Sequence, residues 1–267
     1  MVRGFLRSLA DRDDEVGTVP RVRAYLEALG RPDMRYLVGV VRGAGAETVI
    51  RYGRAVLTAA GASVQVEGEP LDDPLLARAG TSVAAIAYQL AATRPDLGEI
   101  SRHEAEVLLS LVAAAEASRR VVLLADDAFS AVRPIFGVAP DVVVVGSGPD
   151  DAVARAVAAV PDTKVAVLAP RDGSAIDAVE AAARARGVTL IVGGRDFAVE
   201  GAARPGGMTL TVGDERYTDL ALGEADDQDL AATGIVAALA LGAFGVRMRP
   251  EWVESGARLA AAREFTA

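Results

Sequence analysis

Short runs of β-branched residues alternate with long alanine-rich stretches along most of this chain, an alternation that points to a parallel α/β sheet. Tyr36–Val41, Ala62–Val66, Val121–Ala125, Val142–Val145, Lys164–Ala169 and Val188–Val192 read as strands. Several are apolar at consecutive positions, as strands covered by helices on both faces must be. The stretches Thr48–Ala60, Pro74–Ala92, Arg102–Ser118, Ala152–Val160 and Ser174–Arg186 read as the intervening helices. Gly61 and Gly187 follow helix ends, where a left-handed residue is needed. After Gly193 the texture changes. Met208–Val212 and Arg216–Leu222 flank Gly213-Asp214-Glu215 and predict a hairpin, followed by helices over Gln228–Phe244 and Glu251–Ala262. The expectation is one doubly wound, mostly parallel α/β domain over residues 1–267, with residues 1–20 as an N-terminal extension.

Composition removes whole classes of chemistry. The chain has no cysteine and a single histidine, His103, which excludes disulfides, thiolate sites, His clusters and Ser-His-Asp triads. A net charge of −9 argues against a nucleic-acid or anionic-membrane surface. No stretch reaches the roughly 18 apolar residues of a membrane span. The N-terminus mixes charges without the apolar core of a signal peptide, so a cytoplasmic protein is expected. Of the 28 basic residues all but Lys164 are arginine, which matters because phosphate-handling loops often require a lysine.

The segment Tyr36–Thr48 is a strand, a small-residue loop and the start of a helix. Such a loop can aim backbone N–H groups at phosphate. A working P-loop also needs a lysine and a Ser/Thr for Mg²⁺. Thr48 can be that threonine, but Ala46 stands where the lysine belongs and Glu47 adds a negative charge. The plainer reading is a tight turn in which Gly43 and Gly45 supply backbone freedom. A second candidate is a set of carboxylates at strand ends, Asp126, Asp127, Asp150 and Asp151, where open α/β sheets bind ligands. Together they offer oxygen ligands for Mg²⁺; singly each pair reads as a helix cap. His103 and the acidic run Glu224–Asp229 read as solvated helix starts, and Phe244 and Trp252 as packing residues.

Arg21–Pro32, the glycine loop and Ala59-Ala60-Gly61 together resemble the start of the folylpolyglutamate/dihydrofolate synthases, a branch of the Mur ligase family. The likeness continues through Val64–Pro70, Ile100–Leu108, Arg120–Ala125, Asp141–Val145, Gly194–Phe197 and the helix from Leu230. The resemblance implies a P-loop-type central domain, ATP-driven amide formation through an acyl-phosphate, and Mg²⁺ at the phosphates. It places Gly45 and Thr48 on the family's glycine and Ser/Thr, but Ala46 on its lysine and Ala125 on its metal-side glutamate. Leu71, Ala152 and Leu230 stand where the pattern has His, His and Asn. Scaffold positions persist (Gly30, Pro32, Gly61, Pro70, Asp196 and Phe197) while charge-bearing ones are apolar.

Phosphoryl transfer rests on positioning and charge neutralisation, so this pattern predicts a catalytically degenerate protein without cofactor. It would act through binding, as a partner subunit of a ligase or as a homo-oligomer. The family's second α/β domain is expected to be missing beyond the helix near Ala262. The alternative is an active carboxylate–amine ligase with ATP and Mg²⁺ in a rebuilt site. There Arg42 replaces the lysine, beside Gly43, Gly45, Thr48 and the four aspartates.

Overall fold

The computed structural model describes residues 2–9, 18–126, 138, 140–146, 163–170, 176–201, 207–223 and 227–262. Six parallel strands form the main sheet: β1 (Leu37–Arg42), β2 (Val64–Val66), β3 (Val121–Asp126), β4 (Val142–Val145), β5 (Val165–Leu168) and β6 (Thr189–Val192). Their spatial order is β2-β3-β1-β4-β5-β6, so β1 lies at the centre with β3 and β4 on either side. A second, antiparallel sheet contains β7 (Phe197–Gly201), β8 (Met208–Val212) and β9 (Glu215–Leu220). The expected hairpin is therefore β8–β9 of a three-stranded sheet. Only Phe197 of β7 is buried, which leaves that strand little apolar pattern to announce it.

The helices among the described residues are α1 (Val2–Ser8), α2 (Thr18–Ala28), α3 (Ala46–Ala59), α4 (Asp73–Thr93), α5 (Arg102–Glu116), α6 (Ile176–Arg186), α7 (Gln228–Gly242) and α8 (Pro250–Ala262). The expected helix over Ala152–Val160 lies outside the described residues. Strand alternation sorts the core into two layers. Val38, Val40, Val122, Leu124, Val143 and Val145 pack against α2, α4, α5 and α6. Val41, Val121, Leu123, Val142 and Val144 pack against α3, α7, α8 and the small sheet. Helices on both faces make this a doubly wound sheet, as the apolar strands require. Phe5, Leu6 and Leu9 of the N-terminal segment pack against the first layer.

Local chemistry sets several boundaries. Helix α3 starts two residues before the expected Thr48 because Gly45, at φ 81°, takes the N-cap position. Helix α5 stops at Glu116, just ahead of Ser118, which is left-handed at φ 52°. Gly61 and Gly187 are left-handed at φ 80° and 68°, as their places after helix ends demand.

The turn between β6 and β7 is held by Asp196. Its Oδ2 accepts the Val192 N–H at 2.8 Å, and Arg195 binds both carboxylate oxygens, Nε at 3.1 Å and Nη2 at 2.9 Å. The Arg195 hydrogen bond holds the Asp196 carboxyl below the usual carboxylate range. A depressed native pKa means that the contribution is full above the ordinary carboxylate pKa and fades as acid protonates the native group. Asp196→Asn is therefore expected to lower the midpoint of urea unfolding at neutral pH, with the gap from the parent chain closing as the pH falls below 4. Parallel unfolding curves across that range check this; a gap independent of pH would rule out the carboxylate as its source.

Candidate functional site

The chain leaves β1 toward β2 on one side of the sheet, and leaves β4 toward β5 on the other. Such a reversal opens a crevice at the carboxyl ends of the two strands, where open α/β sheets hold ligands. The glycine loop lies at that point. Gly43 and Gly45 have φ of 97° and 81°, so the turn uses the freedom anticipated for both. The end of β4 is pressed onto the loop: the Gly146 N–H donates to the Arg42 carbonyl at 2.8 Å. A Cβ at Gly146 would stand only 2.7 Å from the Ala44 carbonyl oxygen.

Leu230, in the first turn of α7, lies directly on this loop. A Cβ built on Gly45 would collide with Leu230 Cδ1. Two close glycine contacts hold α7 there. A Cβ on Gly53 of α3 would meet the Gly234 carbonyl oxygen at 3.1 Å, and one on Gly234 would overlap the Val49 carbonyl oxygen. The helices thus cross almost backbone to backbone, and Leu230 is one turn before Gly234 on α7.

Ala46, at the position of the sought lysine, is 1% exposed, and its methyl group joins the core. Thr48 is buried, and its Oγ1 accepts a long 3.5 Å hydrogen bond from Arg51 Nη2. Glu47 is exposed in the first turn of α3. Arg42 is also 1% exposed. By strand alternation its side chain shares the sheet face of Val38 and Val40, opposite α3, and it is already engaged within the protein. Asp126 ends β3 in register with Arg42. Its side chain and all of Asp127, Asp150 and Asp151 lie outside the described residues. Among the described residues no group of three or more His, Asp or Glu is placed to hold a metal.

Beside the loop runs a groove of about 470 Å³ that the sequence reading missed. Glu47, Arg51, Arg54 and Thr58 of α3 form one side, Leu259 and Ala260 of α8 the other, and Val66 and Ala125 contribute from the strand ends. Two carboxylates reach these strand ends from the turn after β2. Glu67 Oε2 accepts the Ala125 N–H at 3.0 Å, and Glu69 Oε2 accepts the Val66 N–H at 3.0 Å while pairing with Arg54. The polar stripe 47-51-54-58 was legible as one helix face. Glu67 and Leu230 reach the site from distant elements and left no local signal. His103 is half-buried and engaged within the protein, while its neighbour Glu104 is buried and paired with Arg21.

No protein-family model and no curated protein matches the chain by sequence. Solved structures do match by shape. The apo folylpolyglutamate synthase of Lactobacillus casei superimposes with a TM-score of 0.84 at 17% identity, covering 97% of this chain and 71% of that one. The Thermotoga maritima folylpolyglutamate synthase gives 0.78 at 15% identity, over 96% of this chain and 64% of that one. The Mycobacterium tuberculosis enzyme, solved with ADP, gives 0.78 at 17% identity, over 97% and 64%. The fold is that of the folylpolyglutamate synthases. It is the Mur ligase-type architecture that the sequence resemblance implied, and this chain spans about two thirds of the length of those proteins. No helix among the described residues is long and apolar enough to cross a membrane.

Proposed function

We propose that this chain acts by binding rather than by phosphoryl transfer, as a non-catalytic counterpart or partner subunit of a folylpolyglutamate-synthase-like ligase. The observation that carries this reading is Leu230 seated on Gly45. A phosphate cradled by such a loop needs exposed N–H donors and a nearby cation to offset its charge. At Gly45 it would meet a hydrocarbon side chain, and next to it a buried alanine and an exposed Glu47. The described residues of the loop therefore do not fit ATP, although related folds were solved with AMPPCP or ADP. In this reading residues 1–267 form one cytoplasmic domain without a nucleotide cofactor, and recognition of the partner replaces turnover.

A second reading, an ATP- and Mg²⁺-dependent carboxylate–amine ligase with a rebuilt site, is favoured by one observation. Glu67 places a carboxylate at the end of β3, beside Ala125, where the resemblance puts a metal-side glutamate. Calorimetric titration of the full chain with Mg²⁺-ATP separates the two. The expected result is no saturable heat up to millimolar nucleotide. Saturable binding that disappears without Mg²⁺ and weakens in Glu67→Gln would overturn the non-catalytic reading and establish the second.

A further inference from the structure

A second cleft is at the opposite end of the sheet from the glycine loop. It has a volume of about 770 Å³ and opens at the amino-terminal ends of β1, β3, β4 and β5. Four cationic side chains line it, Arg35, Arg119, Arg120 and Lys164, in a chain whose net charge is −9. Its two carboxylates are already committed. Asp33 receives a forked pair of hydrogen bonds from Arg31, at 3.1 and 2.8 Å. Asp141 Oδ2 accepts the Val38 N–H at 3.0 Å, and its Oδ1 accepts from Lys164 at 3.3 Å.

The cations are less fully used. Lys164 is positioned by Asp141 and by the Phe244 ring, 5.0 Å from the ring centroid, which leaves part of its ammonium turned to the cleft. Arg120 spends one Nη2–H on the Gly245 carbonyl, in the turn after α7, at 2.8 Å. Arg35 makes a single long bond of 3.5 Å to the Gly30 carbonyl. Arg119 Nε is buried and has no hydrogen-bond partner. That Nε is closed to solvent, so the donors Arg119 can offer the cleft are its terminal N–H groups.

The geometry points to this cleft as a binding site for a small polyanion, with its oxyanion groups held by Arg119, Arg35 and the free donors of Arg120 and Lys164. Planar guanidinium forks bind carboxylate and phosphate alike, so the shared chemistry is a compact ligand with two or more negative oxyanion groups. The turn after α7 explains one donor of Arg120, which bonds the Gly245 carbonyl. It does not explain Arg119, whose Nε bonds none. The site lies away from the crevice of the glycine loop and stands whichever reading of that crevice holds.

Calorimetry on the full chain at low ionic strength, without Mg²⁺, uses pyrophosphate and citrate as probes. At least one is expected to bind saturably at submillimolar concentration and to weaken steeply with added salt. Arg119→Gln and the exposed Arg35→Gln are each expected to weaken that binding about tenfold, the loss of one charge-assisted contact. Arg216→Gln, on β9, removes the same charge elsewhere and is expected to leave binding unchanged. A preference for pyrophosphate assigns a phosphate ligand and a preference for citrate a polycarboxylate. Absence of saturable binding by both probes overturns the site. Equal weakening by Arg216→Gln also overturns it, because that is the signature of diffuse charge. If Arg119→Gln fails to fold, Arg35→Gln against Arg216→Gln decides.

Discussion

Glu104→Ala is expected to lower the unfolding free energy by about 3–5 kcal/mol, the usual cost of stranding one member of a buried ion pair. Arg21 and Glu104 are almost wholly buried, with side chains 6% and 1% exposed. Arg21 Nε approaches both carboxylate oxygens, at 2.9 and 3.0 Å, and its Nη1 donates to the Leu97 carbonyl at 2.6 Å. The same carboxylate accepts the Ser101 N–H at 2.7 Å, while Ser101 Oγ accepts the Glu104 N–H at 3.2 Å, a complete capping box. One side chain thus starts α5, fixes the preceding turn and neutralises a cation on α2. Burial and the neighbouring carboxylate also push the Tyr25 hydroxyl up to about 12, so that tyrosine stays neutral beside the pair. Urea unfolding measures the effect. The paired replacement Arg21→Met with Glu104→Leu is expected to recover most of the loss, because no charge is then left buried. A single-variant loss below about 1 kcal/mol would mean that water reaches Arg21 and the pair is effectively solvated.

That pair also shows what was readable and what was not. The capping box was present in Ser101-Arg-His-Glu104, and the helix was placed from its first residue. Its partner is 83 positions away in sequence, on a helix that the strand–helix alternation did not reveal. Yet α2 carries a usable pattern: Val22 and Leu26 are buried one turn apart, with Tyr25 beside them. β4 was placed to the residue because four valines are bounded by Asp141 and Gly146. β7 was missed because four of its five residues are partly or wholly exposed, so burial imprints almost no alternation on it.

For the site, the loop glycines and the missing lysine were legible because both lie within one short segment. The placement of Arg42 also follows from a rule of strands: a residue two positions after Val40 shares its face. The polyanion cleft was not legible at all. Its cations come from residues 35, 119, 120 and 164, which only the sheet order β3-β1-β4-β5 brings side by side. Leu230 is the same kind of case. Its substitution was visible in sequence, but its contact with Gly45 depends on how closely two helices cross.

The close approaches of α7 and α8 to α3 yield the other large effect. Gly234→Ala and Gly256→Ala are each expected to destabilise the protein by about 2 kcal/mol, although alanine is the better helix former by about 1 kcal/mol. A Cβ at Gly234 overlaps the Val49 carbonyl oxygen; one at Gly256 stands 2.5 Å from Val56 Cα and 2.7 Å from its nitrogen. The obstructing atoms are backbone of α3, so no side-chain rotation relieves them and whole helices must part. Denaturant unfolding of both variants checks the size, and Gly61→Ala, where open space surrounds the Cβ but φ is 80°, separates steric overlap from backbone strain. The two sites differ in what else they change. Gly256 holds α8 against the C-terminal part of α3, whereas Gly234 is one turn from Leu230. Parting α7 from α3 therefore draws Leu230 off Gly45, and Gly234→Ala should raise amide hydrogen exchange in the loop 43–46 more than Gly256→Ala does. Equal exchange in the two variants would mean that Leu230 keeps its seat on Gly45 without the close helix crossing, and that the crossing matters to stability alone.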